Sequence, residues 1–404
     1  MCSIDSYLTV SERKSIRAPI TDAKTLPHRA FTSNAFFELE TEFIFKRKWL
    51  AIGFGHTVPN TGDVAPITVL GMPLLVVRGD DGIIRVFYNI CPFDACPVVL
   101  EPARGLDELY APYHGWRYNL FGKLVAIPYW DGKQNTELSA LGKHDGDLIP
   151  VKTECWHDVI FIDLSNQAGE LPEHTAGLDD LLSDYDFTAI APARNENGES
   201  DTVTVSLNSN WKTYFENDCM NGLHASTVHD IYRYRPEVPR VTPDGNKKSM
   251  DIIKGNCLGF RYDWEDMKEV YPRWPLPPIS VRPDVMPEHG FFVGIYPNLT
   301  VAAMPHTVSI LFFLPEACDH TIITSTTYVH ASAAQDSKYK MVRKSIDNFF
   351  SQAAREDARI VEAIQHARSS PVCEQQFFSP FWNAPYYRFT NMILDDLELS
   401  LDDV

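Results

Sequence analysis

Apolar positions in "ETEFIFKRKWLAIG" (residues 40–53) follow helical spacing up to Trp49, and the glycine then closes the run. A helix is the expectation there. Beyond it lie short apolar runs broken by turn residues: "VAPITVL", "MPLLVVRGDDG" and "IIRVFYNI". The Asp81-Gly82 pair between two β-rich runs is a hairpin signal, because both residues tolerate the positive φ that a tight turn demands. Residues from about 45 to 130 therefore read as a small antiparallel β domain. A β-branched run, "DTVTVSL", precedes the polar, helix-permissive stretch "NSNWKTYFENDCMNGLHASTVHD" (208–230). Strand signal returns over 291–329, and a long amphipathic helix follows from about Gln335 to Arg368. Its apolar stripe runs through Ile346, Phe349, Phe350, Ala353, Ile360 and Ile364. The second domain is thus a sheet combined with helices.

Composition narrows the function more than the fold. The 404 residues are 44% hydrophobic with 28 prolines and 21 glycines, a globular balance that accommodates two domains. A formal charge of −18 disfavours nucleic acid and anionic membranes as partners. The acidic tail "DDLELSLDD" reads as solvated. No apolar run approaches membrane-spanning length, and the N-terminal residues lack the apolar core of a secretion signal. Eight cysteines without regular spacing fit a reducing compartment, so the expected location is cytoplasmic.

His224 and His229 are separated by four residues. Five steps of a straight α-helix leave two side chains about 140° apart, so these imidazoles share an ion only where the helix ends or bulges. Gly222 makes such an irregularity plausible. Two unrelated histidines are the competing reading. A carboxylate on the late helix, within "AREDARIVEAIQ", would complete two imidazoles and one carboxylate on one face of an iron, with other positions open for oxygen and substrate.

Seven blocks, in order, now carry a resemblance: "LPHRAFTSNAFFELETEFIFKRKWLAIG", "GMPLLVVRGDDGIIRVFYNICP", "YHGWRYNLFGKL", "NWKTYFEN", "LHASTVH", "YPNLTV" and "REDARIVEAIQ". The chain resembles the oxygenase (alpha) subunit of Rieske non-haem iron oxygenases, of the type without a separate small subunit. The resemblance implies an α+β protein in which an antiparallel β Rieske-like domain (45–160) is inserted into a helix-grip catalytic domain (1–44 and 161–404). It also implies mononuclear Fe(II) held by His224, His229 and Asp357, Asp357 being preferred to Glu356 for its position relative to "VEAIQ". Asn217 matches a position near the iron, where it would order a water or cap helix backbone. The implied assembly is a trimer, homomeric or formed with a related alpha subunit.

The chain departs from the family at two linked places. A Rieske [2Fe–2S] cluster takes two cysteines on one iron and two histidines on the other. Here the four positions are Cys91, Phe93, Ala111 and His114. Neither Phe93 nor Ala111 can donate an electron pair, so the cluster is expected to be absent. Recruitment of Asp94 and Cys96 beside Cys91 and His114 to hold one zinc is a minor alternative. The second departure is Asn221, which stands where the family has an aspartate that links the iron to a neighbouring subunit's cluster; Asp218 is a candidate substitute.

Three functions fit this pattern. The iron activates O2 for a small organic substrate with electrons from an unusual source; it acts as a Lewis acid in a non-redox reaction; or the chain is a non-catalytic partner of an intact relative. The blocks lean toward the branch of the family acting on methylated amines. Tyr232, Tyr234, Phe292, Tyr296 and the aromatic run "QQFFSPFWNAPYYRF" are candidates to line a pocket, where rings would attract a quaternary ammonium group.

Overall fold

The computed structural model describes residues 4–195, 197–230, 241–267, 274–282 and 285–402. The chain forms two compact units, one of Lys46–Leu171 and one of Met1–Phe45 with Pro172–Val404. This is the expected arrangement of a β domain set into a sheet-plus-helix domain.

The smaller unit contains β1 (Leu50–Phe54), β2 (Val64–Val69), β3 (Met72–Arg78), β4 (Ile84–Tyr88), β5 (Leu109–Tyr110), β6 (Arg117–Tyr118), β7 (Leu124–Ala126), β8 (Pro150–Trp156) and β9 (Val159–Asp163). Six strands form one antiparallel sheet in the order β1-β9-β8-β4-β3-β2, and β5-β6-β7 form a second. The hairpin expected at Asp81-Gly82 joins β3 to β4, with Gly82 at φ 76°. Two sequence expectations shift. The run 40–53 is the end of a helix (Asn34–Phe43), a short 3-10 turn and then β1. Helical spacing up to Trp49 therefore overruns the true helix end, and Leu50, Ala51 and Ile52, buried on both faces of their sheet, show no alternation that would mark the strand. The expected boundary at 160 falls inside β9, whose five residues are all buried between β1 and β8.

The larger unit carries β10 (Ile190–Pro192), β11 (Val203–Leu207), β12 (Ser249–Lys254), β13 (Cys257–Asp263), β14 (His289–Ile295), β15 (Leu299–Met304), β16 (Thr307–Ala317) and β17 (His320–His330). They form one antiparallel sheet in the order β10-β17-β16-β15-β14-β13-β12, with β11 also on β17. The long helix runs from Lys340 to Arg368. Its buried positions are Arg343, Ile346, Val361, Gln365 and Arg368. The expected stripe therefore holds at Ile346, is only half-buried at Phe349, Phe350, Ala353 and Ile364, and fails at Ile360, which is exposed while its neighbour Val361 turns inward.

Candidate metal centre

The segment after β11 opens a helix at Trp211–Phe215, capped by the Asn210 side chain accepting from the Lys212 backbone N–H at 3.0 Å. That helix widens into a π-turn over Glu216–Met220, leaves helical geometry at Asn221 (φ −122°, ψ 72°), and resumes for a single turn at Ala225–Val228. His224 and His229 are the residues flanking that last turn. His229 has extended backbone, which cancels the angular mismatch of a straight helix and brings the two ring centroids to 5.4 Å. The irregularity expected from the spacing is present.

The long helix delivers the carboxylate. It is locked to the histidine segment by Gln365, whose Oε1 accepts from Asn210 N at 3.1 Å, and by Glu362, whose Oε1 accepts from Asn208 N at 3.0 Å. Arg368 adds a hydrogen bond to the Thr213 hydroxyl. Asp357 Oδ1 then lies 3.4 Å from His224 Nε2 and 3.7 Å from His229 Nε2. An ion with bonds of about 2.1 Å bridges donors up to ~4.2 Å apart, so both gaps lie within reach of one metal. His224, His229 and Asp357 are the one group of three or more His, Cys, Asp or Glu, among the described residues, whose ligating atoms all lie within 4.8 Å of each other.

The surroundings prepare these donors. His229 Nδ1 lies 3.0 Å from Glu356 Oε2, and His224 Nδ1 contacts the Asn221 carbonyl. Each partner accepts the Nδ1 proton, which leaves each Nε2 lone pair directed toward Asp357. Burial alone would lower the His224 pKa; the Asp357 carboxylate and the Asn221 carbonyl outweigh it and raise the value. Asp357 Oδ1 is buried without a well-formed hydrogen bond, an expensive state that a cation would relieve. These residues fit a mononuclear metal.

The sequence presents Glu356 and Asp357 as rivals for one role. The structure uses both, because neighbouring helix positions point about 100° apart: Asp357 faces both imidazoles, and Glu356, steadied by Gln352 Nε2 at 2.8 Å, holds His229. Asn217 is buried, and its side-chain N–H groups find no partner. Asn221 turns its amide to Glu216 Oε1 at 2.8 Å, a contact that sequence reasoning missed. Asp218, the candidate substitute, instead lies 3.5 Å from the Tyr214 hydroxyl, and burial pushes its pKa up to about 6.

The pocket candidates separate. Phe292 packs against Phe260 and joins the group around Trp264 and Met304. Gly222, two residues before His224, faces the same wall: a Cβ there would lie 3.4 Å from the Tyr262 hydroxyl and 3.5 Å from the Phe260 ring. Tyr296 is a core residue, buried between Trp211 and Phe389 with its hydroxyl on Asp396 at 2.8 Å. In the C-terminal aromatic run, Phe378 packs on Tyr386 and Tyr387, whereas Phe377 is exposed. Tyr232 and Tyr234 lie outside the described residues.

In the smaller unit, Cys91 and Ala111 are fully buried in its apolar core. Cys91 Sγ is 3.3 Å from the Tyr118 hydroxyl, and burial pushes its thiol pKa up. Phe93 stacks on Trp116 with ring centroids 5.1 Å apart and planes within 9°, with Trp130 edge-on beside them. His114 Nδ1 is 2.6 Å from Asp94 Oδ2, whose own pKa is lowered: burial would raise it, but the Cys96 backbone N–H and His114 prevail. Cys96 Sγ turns to the Pro97 carbonyl at 3.4 Å. A [2Fe–2S] cluster does not fit this donor set, and the four candidate zinc donors form no ligand group.

Residues 179–398 match the ring hydroxylating alpha subunit (catalytic domain), and residues 48–137 match the Rieske [2Fe-2S] domain. The chain belongs to the ring-hydroxylating alpha-subunit family of Rieske oxygenases, which work with a mononuclear iron and a Rieske cluster. It is 29% identical over 224 residues to the glycine betaine monooxygenase oxygenase subunit of Chromohalobacter salexigens, covering 54% of this chain and 47% of that protein. It is 22% identical to the carnitine monooxygenase oxygenase subunit of Escherichia coli (strain K12), over 86% of this chain and 85% of that protein. The fold matches a quaternary ammonium Rieske monooxygenase in complex with gamma-butyrobetaine at a TM-score of 0.73 and 17% identity, covering 95% of this chain and 98% of that one. Naphthalene 1,2-dioxygenase from Rhodococcus sp. matches at 0.70 and 16% identity, over 96% and 97%. No helix among the described residues is long and apolar enough to cross a membrane.

Proposed function

We propose that this chain is a non-haem iron oxygenase that binds one Fe(II) at His224, His229 and Asp357, carries no [2Fe–2S] cluster of its own, and acts on a small organic substrate bearing a methylated ammonium group. The observation that carries the reading is the convergence of two Nε2 atoms on a buried Asp357 oxygen that lacks a good hydrogen bond. Iron held there supplies the site of O2 activation.

The protein's own groups do the rest. Glu356 and the Asn221 carbonyl engage the two Nδ1 atoms, so the Nε2 atoms are the ones left to face the metal position. The Asn217 amide, buried and unpartnered, orders a water or substrate oxygen beside the site. Asn221 keeps the turn before His224 out of helical geometry. Phe260, Tyr262 and Phe292 form an aromatic wall near Gly222, suited to a quaternary ammonium by cation–π attraction. The substrate class is supported by the names of the relatives, which include glycine betaine and carnitine monooxygenase subunits. Loss of the cluster is supported by Phe93 and Ala111, one stacked on Trp116 and the other sealed in the core. Electrons therefore come from outside the chain's own Rieske-like domain. The proposed assembly is a trimer, either of this chain or with a related alpha subunit.

The test is iron and acid-labile sulfide per chain on anaerobically purified protein, followed by O2 uptake with glycine betaine, carnitine and gamma-butyrobetaine. About one iron, no sulfide and substrate-dependent uptake are expected. Sulfide near two per chain refutes the loss of the cluster. Failure to bind Fe(II) when it is added anaerobically refutes the enzyme reading in favour of a non-catalytic subunit.

A further inference from the structure

We propose that Glu216 is a positioning residue for the metal centre: its carboxylate fixes Asn221, and Asn221 in turn fixes the His224 ring. The inference rests on the iron-site reading above.

Glu216 opens the π-turn and Asn221 follows it directly. In ordinary α-geometry, residues five apart point about 140° away from one another. The i→i+5 repeat of a π-turn brings residue 221 back over residue 216. The side chains meet there, with Asn221 Nδ2 donating to Glu216 Oε1 at 2.8 Å. The Asn221 backbone carbonyl works in the opposite direction, accepting from His224 N at 3.3 Å and from the His224 ring. One residue thus links a half-buried carboxylate to a metal ligand through its side chain on one side and its carbonyl on the other. Burial pushes the Glu216 carboxyl up, and the field of Arg368, which lies over the Phe31 ring at 3.8 Å, opposes that shift.

The arrangement explains why residue 221 is an amide. An amide donates to Glu216 without any proton uptake, whereas an aspartate would place two carboxyl groups against each other, a contact that is repulsive unless the pair takes up a proton. The departure from the family's acidic residue and the Glu216 contact are then one feature. Because the link is a donor–acceptor pair, reversing both partners should preserve it, with a glutamine at position 216 donating to an aspartate at position 221.

The experiment titrates metal-free protein with Co(II) and follows affinity and the visible d–d bands for the wild type, Asn221→Asp, Glu216→Gln/Asn221→Asp and His224→Ala. Thermal unfolding verifies that each chain folds. Wild type is expected to bind one Co(II) and His224→Ala to lose it. Asn221→Asp should bind 10–100-fold more weakly, the usual effect of disturbing a ligand's support. The reversed pair should recover to within about threefold of wild type with wild-type bands. Equal or tighter binding by Asn221→Asp overturns the proposal, and so does a reversed pair as weak as the single variant. Absence of Co(II) binding by the wild type overturns the iron-site reading instead, so the two failures are distinguishable.

Discussion

Glu40→Gln perturbs the buried charge pair that anchors the histidine segment. Lys212 Nζ lies 2.6 Å from Glu40 Oε1, and Trp211 Nε1 donates to Glu40 Oε2 at 2.9 Å. Both charged side chains are essentially inaccessible to solvent. Burial pushes Glu40 up and Lys212 down, and their mutual attraction opposes both shifts. The glutamine keeps an acceptor for Trp211 but leaves a buried ammonium without its counter-charge, a change that costs ~3–5 kcal/mol. The Phe31 and Trp211 rings, 5.0 and 5.1 Å from Lys212 Nζ, return ~1 kcal/mol in total. Deprotonating the stranded lysine sets a ceiling: from an ordinary value of about 10.4, neutralisation costs ~4.6 kcal/mol at pH 7 and ~2 kcal/mol at pH 9. The expected loss is therefore about 3 kcal/mol at pH 7, shrinking toward pH 9. Lys212→Met in the same background should restore stability to within ~1 kcal/mol.

Urea unfolding at both pH values, followed by circular dichroism on the whole chain, measures this. Two compact units can unfold separately, so the shift should appear only in the transition of the unit containing Glu40. A loss below ~1 kcal/mol at pH 7, or a double variant less stable than the single, would refute the reasoning. The consequence reaches function because Lys212 lies in the helix that runs straight into the π-turn. Glu40→Gln should also weaken metal binding, and Lys212→Met should recover it.

Three further outcomes follow from particular contacts. A Cβ at Gly294 on β14 would come within 2.2 Å of the Phe215 ring and 2.8 Å of Cys219 Sγ, so Gly294→Ala should cost ~1–3 kcal/mol in urea unfolding and lower the iron content by displacing the π-turn. Glu356→Ala should weaken iron binding 10–100-fold by freeing the His229 ring, whereas Asp357→Ala should abolish it; iron analysis after dialysis distinguishes these from wild-type retention in both. Asp201 has its pKa raised to about 6, by burial first and then by Asp347, against the pull of Arg343. Between its unfolded value of 3.8 and 6 the folded chain holds a proton that the unfolded chain has lost, so this group's contribution falls as pH rises through that window. With screening for its half-exposed position, Asp201→Asn should gain about 1 kcal/mol at pH 7.5 and nothing at pH 4; a gain independent of pH would refute the assignment.

The parts of this protein legible in its sequence are those fixed by local chemistry. Asp81-Gly82 encodes a hairpin through its own backbone preferences, and the long helix is legible from the helical spacing of its apolar positions, although Val361 rather than Ile360 is the buried one. The candidate metal ligands are legible through spacing plus resemblance, but the break that lets the two histidines converge is the extended backbone of His229, which nothing in its spacing marks. What stays hidden depends on partners distant in sequence. The strand Leu50–Phe54 stays hidden because two-sided burial in a sheet erases the alternation that marks a half-buried strand. Tyr296 reads as pocket because an aromatic ring after a strand looks alike whether it meets a substrate or Trp211, Phe389 and Asp396.

The same distinction bears on the two departures that the resemblance implies. Phe93 and Ala111 are readable at once, since no fold makes a phenyl or a methyl group donate to iron. Asn221 is readable only as a loss of charge, because its meaning depends on the π-turn that brings Glu216 beneath it. A turn of that kind is costly and has no composition signature; it shows itself when the residues it brings together are complementary. An acidic Glu216 meeting a neutral Asn221 is such a pair, whereas two acids there would repel. The amide at 221 is then consistent with an internally supported metal site rather than with its decay, and the stacking of an exposed Phe93 on the buried Trp116 is consistent with a β domain that keeps its fold without a cluster.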